Sequence, residues 1–266
     1  MRCRVCGNAA DRFAQARVMG RYDVGYFRCS RCGFVQTEEP YWLEEAYQTP
    51  INIFDTGIIS RNIRLAQKTA TVLYYLFDRH ARYLDYAGGY GVFTRLMRDI
   101  GFDFCWHDPY TQNLVARGFE YQTGGSDIEL LTTFESFEHF ADPLTEMEKL
   151  LSLSPSILFS TELVPDPPPR PEEWWYYGLE HGQHISFYTE HAIRHLADRF
   201  GLNYYGSGTE LHLLTGKKLN PVRFRLAVRK YRSWGLYRRV ERRMKSRIEA
   251  DHDYLVRDGI CRTERR

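Results

Sequence analysis

No stretch of this 266-residue chain approaches the roughly 18 apolar residues that a membrane-spanning helix needs. The start, Met1-Arg2-Cys3-Arg4-Val5-Cys6, lacks the apolar core of a secretory leader, so export by that route is not expected. Internal repeats and low-complexity runs are missing as well. Cysteine is scarce, with six residues in a chain expected to be cytoplasmic, which points to reduced thiols or metal ligands and away from a disulfide framework. An excess of either charge is also lacking, since 36 Lys and Arg face 34 Asp and Glu.

What is present is enough for a packed core: 43% of residues are hydrophobic and 15% aromatic. The near-neutral total hides an asymmetry. Residues 217–266 carry 17 basic against 6 acidic side chains, and residues 1–216 carry 19 against 28. An acidic body therefore carries a basic tail. Phe224, Val228 and Tyr231, then Tyr237, Val240, Met244 and Ile248, recur at helical spacing, with Arg238, Arg239, Arg242, Arg243 and Lys245 on the polar side. Three roles stay open for such a helix. It can pack on the body or on a second subunit of a homodimer, meet a membrane surface or a glycan-assembly partner, or bind nucleic acid, ranked in that order.

Composition divides the chain into four segments. Residues 1–40 hold four cysteines, 41–80 read as a helical connector or lid, 81–216 alternate short apolar runs with amphipathic stretches, and 217–266 form the tail. In the third segment, strands are expected near 82–86, 102–107, 130–134, 156–161, 203–205 and 211–214. Helices are expected near 92–100, 143–151 and 191–200. Alternation of this kind predicts an α/β fold, a mainly parallel sheet covered on both faces.

Cys3-Arg4-Val5-Cys6-Gly7 and Cys29-Ser30-Arg31-Cys32-Gly33 are two C-x2-C-Gly knuckles with 22 residues between the pairs. Four soft ligands at this spacing suit a closed, structural, tetrahedral zinc ribbon; a pair of redox dithiols is the alternative. Cys105 and Cys261 have no matching partner.

Asp85-Tyr86-Ala87-Gly88-Gly89-Tyr90-Gly91 follows a strand and opens a helix, a turn where backbone amides can approach a ligand. The next strand ends in Asp108, placed to bond the hydroxyls of a ribose. Together they point to a nucleoside-containing cofactor.

Here the chain resembles the class I S-adenosylmethionine-dependent methyltransferases, whose first motif runs apolar-Asp-x-Gly-x-Gly-x-Gly. Asp85, Gly89 and Gly91 match it, and Ala87 stands where the first glycine is usual. The resemblance covers residues 81–216 and implies a Rossmann-like, seven-stranded mixed sheet with helices on both faces. It implies that Asp85 supports the turn or the methionine amino group, that Ala87, Gly89 and Gly91 line the cofactor, and that Asp108 holds its ribose. Phe134-Glu135-Ser136-Phe137-Glu138-His139-Phe140-Ala141-Asp142-Pro143 resembles the segment after the fourth strand in the small-molecule branch, which puts Glu135, Glu138 and His139 near the transferred methyl. The cysteine segment with Phe34-Val35-Gln36-Thr37 resembles, in shorter form, the zinc-binding part of enzymes that methylate nucleotide-linked deoxysugars. The whole resembles methyltransferases of bacterial polysaccharide assembly.

After the stiff segment 165–171 come Trp174-Trp175-Tyr176-Tyr177 and then His181 and His184. The rings either stack on a sugar or serve as core. His139 or His184 is the expected base, with Glu138 and His181 orienting the acceptor. Oxygen and carbon acceptors both remain open. An RNA methyltransferase is the runner-up, although no Asn/Asp-Pro-Pro-aromatic motif is present. A scaffold that binds the cofactor without turnover is the third reading. A cytoplasmic protein, drawn by its tail to the inner face of the membrane, is the expected setting.

Overall fold

The computed structural model describes residues 1–49, 51, 53–124, 127–208, 210–229 and 233–263, leaving out the side chains of 233, 234 and 258–263. Tyr231 and the Cys261 side chain thus lie outside the described residues. In chain order the first elements are β1 (Ala10–Val18), β2 (Tyr22–Cys29), β3 (Val35–Thr37), α1 (Leu43–Ala46), α2 (Ile58–Leu76), β4 (Arg82–Tyr86), α3 (Val92–Ile100) and β5 (Asp103–His107). Next come β6 (Ile128–Phe134), α4 (Pro143–Leu153), β7 (Ser156–Ser160), β8 (Ser186–Phe187) and α5 (Glu190–Arg199). The last are β9 (Asn203–Gly206), β10 (Leu211–Thr215), α6 (Pro221–Val228), α7 (Ser233–Arg243) and α8 (Ile248–Thr263).

The chain forms two compact units. One comprises Met1–Phe54 and Thr132–Lys218, the other Asp55–Leu131 and Leu219–Arg266.

In the first unit, β1, β2, β3 and β8 form an antiparallel sheet in that order. Along β1 the small residues Ala10, Ala14, Ala16 and Val18 turn inward while their neighbours stay more exposed, the period-2 pattern of a half-buried strand. The inward face packs with Tyr26, Val35, Trp42, Tyr176, Tyr177 and Phe187. Tyr26 and Tyr177 meet edge to face, with centroids 5.3 Å apart. Trp174, Tyr176 and Tyr177 are therefore core or packed on it, and Trp175 alone of the four points to solvent, 74% exposed.

The larger sheet has six strands in the order β5-β4-β6-β7-β10-β9. β4 and β5 run parallel, and β10 is antiparallel to both β7 and β9, so the sheet is mixed. All five residues of β7 are buried, as in a strand covered on both faces. A seventh strand is absent among the described residues. Its place beside β5 is taken by a single parallel bridge, Trp106 to Glu120. The extended run there is short because Gly118 and Gly124 turn at φ +90° and +81° on either side. Glu120 also spends its carboxylate on Asn113 Nδ2 (2.8 Å) and the Gly118 amide (2.9 Å).

In the second unit the basic tail packs on its own body. Asn220 caps α6 by accepting from the Val222 amide at 2.9 Å. Asp251 on α8 accepts two hydrogen bonds from buried Arg98, at 2.7 and 2.8 Å, and one from Arg95 at 2.8 Å. Val240 is buried, whereas Arg238, Arg239, Arg242, Arg243 and Lys245 are exposed. No helix among the described residues is long and apolar enough to cross a membrane.

Candidate functional site

Three clusters carry chemistry, one in the second unit and two in the first.

The first is the turn from β4 to α3. Ala87, Gly89 and Gly91 all have left-handed backbones, at φ +56°, +54° and +83°. Only glycine takes that conformation without strain, so Ala87 holds roughly 1–2 kcal/mol of it. At Gly88 the limit is space, because a Cβ would lie 2.7 Å from both Asp85 Oδ2 and Trp106 Cδ1. Asp85 is buried and accepts from the Thr94 hydroxyl at 2.8 Å, so it ties β4 to the first turn of α3. Trp106 Nε1 donates to the Gly89 carbonyl at 3.0 Å. Asp108 receives the Gly89 amide on Oδ2 at 2.8 Å and the Tyr110 and Thr111 amides on Oδ1. No side chain caps α3 at Gly91, which leaves its first amides turned toward the loop. The turn is thus a close-packed backbone cradle with a carboxylate at its rim, and it fits a nucleoside cofactor.

This geometry makes Gly91 irreplaceable. A Cβ there would sit 2.7 Å from Asn113 Oδ1 and 3.0 Å from the Ala116 Cβ, in a left-handed backbone. Gly91→Ala is expected to weaken S-adenosylmethionine binding at least about tenfold, the effect of roughly 1.4 kcal/mol of strain. Calorimetric titration of the folded variant measures it, and an unchanged dissociation constant would detach the cofactor from this turn.

The second cluster begins where β6 ends. Glu135 is left-handed at φ +51° and is held by Ser160, whose hydroxyl accepts from the Glu135 amide (2.9 Å) and donates to Oε1 (2.5 Å). Strain of this kind in a non-glycine residue gathers at functional sites. A single 3-10 turn, Phe137–His139, follows, pinned by Phe137 stacked on Phe159. It delivers Glu138 inward and His139 to the rim. Burial, aided by the nearby Glu135 charge, pushes the Glu138 carboxyl up to about 8. His139 Nδ1 meets the Tyr47 hydroxyl at 2.8 Å, and burial pushes its imidazole down to about 4. His184 stands edge-on to His139, with centroids 5.0 Å apart, and His181 stands 4.7 Å from His184. Their loop is clamped by Trp42 Nε1 on the Gly182 carbonyl (2.8 Å) and by Gln183 Nε2 on the Ala46 carbonyl (2.8 Å). His181 Nδ1 accepts the Gln183 amide at 3.1 Å, and burial lowers its pKa. The four residues expected at an acceptor site, Glu138, His139, His181 and His184, are therefore neighbours. Tyr47 joins them with no sequence signal beyond its place in a helical run. His191 is exposed on α5, and neither group of candidate metal ligands among the described residues includes it.

The third cluster is the cysteine pair of pairs. The Sγ atoms of Cys3, Cys6, Cys29 and Cys32 lie within 4.8 Å of one another, with Cys3 to Cys32 at 3.6 Å and Cys6 to Cys29 at 3.4 Å. A tetrahedron with metal–sulfur bonds of about 2.3 Å has edges of about 3.8 Å. The sulfurs are too far apart for disulfides and spaced for an ion. The two knuckles repeat one geometry: Gly7 and Gly33 turn at φ +72° and +71°, and each amide returns to the carbonyl of the first cysteine. The Cys32 thiol's hydrogen bond holds Cys3 down at about 5, and the same contact pushes Cys32 up. Cys105 is apart from the set, buried and free.

Residues 60–205, more than half of the chain, match a family model described as "Methyltransferase domain". A search of curated proteins finds no match. Among solved structures, TnmH is 16% identical with a TM-score of 0.47, over 67% of this chain and 62% of that one. The chain thus spans under two thirds of TnmH. An O-methyltransferase family protein from Burkholderia thailandensis is 15% identical, with a TM-score of 0.47, over 66% of this chain and 63% of its own. The plantazolicin methyltransferase BpumL, solved with SAH, is 11% identical with a TM-score of 0.46, over 66% and 89%.

Proposed function

The chain belongs to the methyltransferase domain family; from that premise we propose that it is an S-adenosylmethionine-dependent methyltransferase whose acceptor is a small polar molecule, a sugar or nucleotide-sugar of polysaccharide or secondary-metabolite synthesis. The observation that carries this reading is the group of three partly exposed imidazoles, His139, His181 and His184, beside the buried carboxyl of Glu138. Imidazoles bond hydroxyl groups and can take their protons.

S-adenosylmethionine supplies an electrophilic methyl carried on a sulfonium. The chain's own residues would do the rest. Ala87, Gly89 and Gly91 would offer backbone to the donor, with Asp85 fixing their turn through Thr94. Asp108 would meet the ribose hydroxyls with lone pairs its three amides leave over. Glu135 would face the methionine end. His139 and His184 would align the acceptor hydroxyl and receive its proton at a ring nitrogen, with His181 and Glu138 orienting them. Cys3, Cys6, Cys29 and Cys32 would hold a structural zinc ion that staples the ends of the first sheet. The tail would bring the protein to an anionic surface or a glycan-assembly partner by its exposed arginines.

Those exposed arginines on α7 also favour a second acceptor class, RNA. Labelled methyl from S-adenosylmethionine, added with the enzyme to a bacterial extract, separates the two. Label in a nuclease-resistant small-molecule or glycan fraction is expected. Label in RNA would replace the sugar reading, and cofactor binding with no label in a competent extract would favour a scaffold.

A further inference from the structure

Glu138 is fully buried, and neither of its carboxyl oxygens makes a hydrogen bond of normal geometry, although the Tyr176 and Thr161 hydroxyls lie near enough to favour its charged form. A carboxyl in that state is costly to bury, and more so when ionised. Such a group is tolerable where something else pairs with it. Two imidazoles are in reach: one ligand atom each from Glu138, His139 and His184 lies within 4.8 Å of the other two. The rings are fixed from outside. The Tyr47 hydroxyl sits on His139 Nδ1 at 2.8 Å, and the Gln183 backbone also meets this ring, a contact the ion would replace if it took the other nitrogen. His184 Nδ1 lies 2.6 Å from the Tyr176 carbonyl, which can only accept, so the neutral ring carries its lone pair on Nε2. Outer groups of this kind orient metal-binding histidines and set their tautomer.

We propose that Glu138, His139 and His184 form a metal centre for one divalent first-row ion, separate from the four cysteines. Two imidazoles and a carboxylate are nitrogen and oxygen donors that suit manganese, iron, cobalt or zinc ions. Three protein ligands leave positions open on the ion. His139 and His184 are partly exposed, so those positions are within reach of a ligand. An acceptor offering two neighbouring oxygens would fill them, and the ion would lower the pKa of a bound hydroxyl. That the ion meets the acceptor rests on the function proposed above, with the ion and not a ring nitrogen of His139 or His184 then activating the hydroxyl; that the three residues bind an ion does not.

Manganese is the probe, because thiolates bind it poorly and the cysteine cluster stays silent. The full chain, dialysed against citrate to clear weakly held metal, is titrated with manganese chloride while the resonance signal of free Mn²⁺ is followed. One bound equivalent is expected. Glu138→Gln and His184→Ala should each weaken binding at least about tenfold, and His191→Ala should leave it unchanged. Circular dichroism checks folding; if His184→Ala does not fold, the near-isosteric Glu138→Gln carries the comparison. No manganese bound by the wild type, or equal binding by the folded variants, would overturn the centre. Neither result depends on methyl transfer, so failure here and failure of the sugar reading remain distinguishable.

Discussion

Asp251→Ala is expected to cost about 3 kcal/mol of stability, because it takes from a buried guanidinium one of its two counter-charges and leaves Nε and Nη2 unpaired. Arg98 is 3% exposed and donates both Nε and Nη2 to Asp251, while Nη1 reaches Asp103 at 2.7 Å and the Phe104 carbonyl at 2.7 Å. Its plane lies over the Phe119 ring, 3.7 Å from the centroid. Removing one member of such a pair strands the other, whereas replacing both with apolar residues of similar volume is close to neutral. Urea unfolding of Asp251→Ala against Asp251→Ala with Arg98→Met tests this, and the double variant should recover much of the loss. Equal stability of Asp251→Ala and wild type would detach α8 from the body. The pH dependence has a definite sign. Burial raises the Asp251 pKa, but hydrogen bonds from Arg98 and Arg95 outweigh it and leave it depressed. The pair's contribution is therefore full above the unfolded-state pKa of about 3.9 and is lost as pH falls through the lower folded value.

That pair also marks what could not be read from the chain. Arg98 and Asp251 are 153 residues apart, and no local pattern says that one tail carboxylate out of six acidic side chains reaches a helix on the body. The basic periodicity announced a helix; its partner was a matter of tertiary packing. The same holds for Tyr47 on His139, 92 residues away. By contrast, the β4 turn was legible because steric exclusion at Gly88 and the left-handed backbones leave little choice of residue. β7 was legible because its buried run lies between helix and proline signals. The seventh strand failed for a local reason, two turning glycines on either side of a run in which only Glu120 bridges to β5. The aromatic run 174–177 was undecided between platform and core because burial depends on β1 and β2, far off in sequence; the sheet took three rings and left Trp175 outside.

The cysteine cluster should show the other large effect. Cys29 ends β2, and Cys3 and Cys6 lie before β1, so one ion at the four sulfurs would tie both ends of the β1–β2 hairpin to the turn that starts β3. Small metal-dependent folds draw about 10–16 kcal/mol from such a site. Here the sheet has a core of its own in Tyr26, Trp42, Tyr177 and Phe187, so the share lost should be smaller, at several kcal/mol. Cys29→Ser is expected to lower the zinc content by one equivalent and to lower the melting temperature. Cys105→Ser, on a free thiol in β5, should leave the zinc content unchanged. Serine at Cys29 keeps the size and removes the soft donor, which separates loss of the ion from loss of packing. If wild-type protein purified without chelator carries no zinc and melts as Cys29→Ser does, the four thiols hold no ion. Their 3.4 and 3.6 Å contacts would then be paired thiols sharing protons. The Cys3 thiol, lowered by its hydrogen bond with Cys32, would then be the first of the four to ionise.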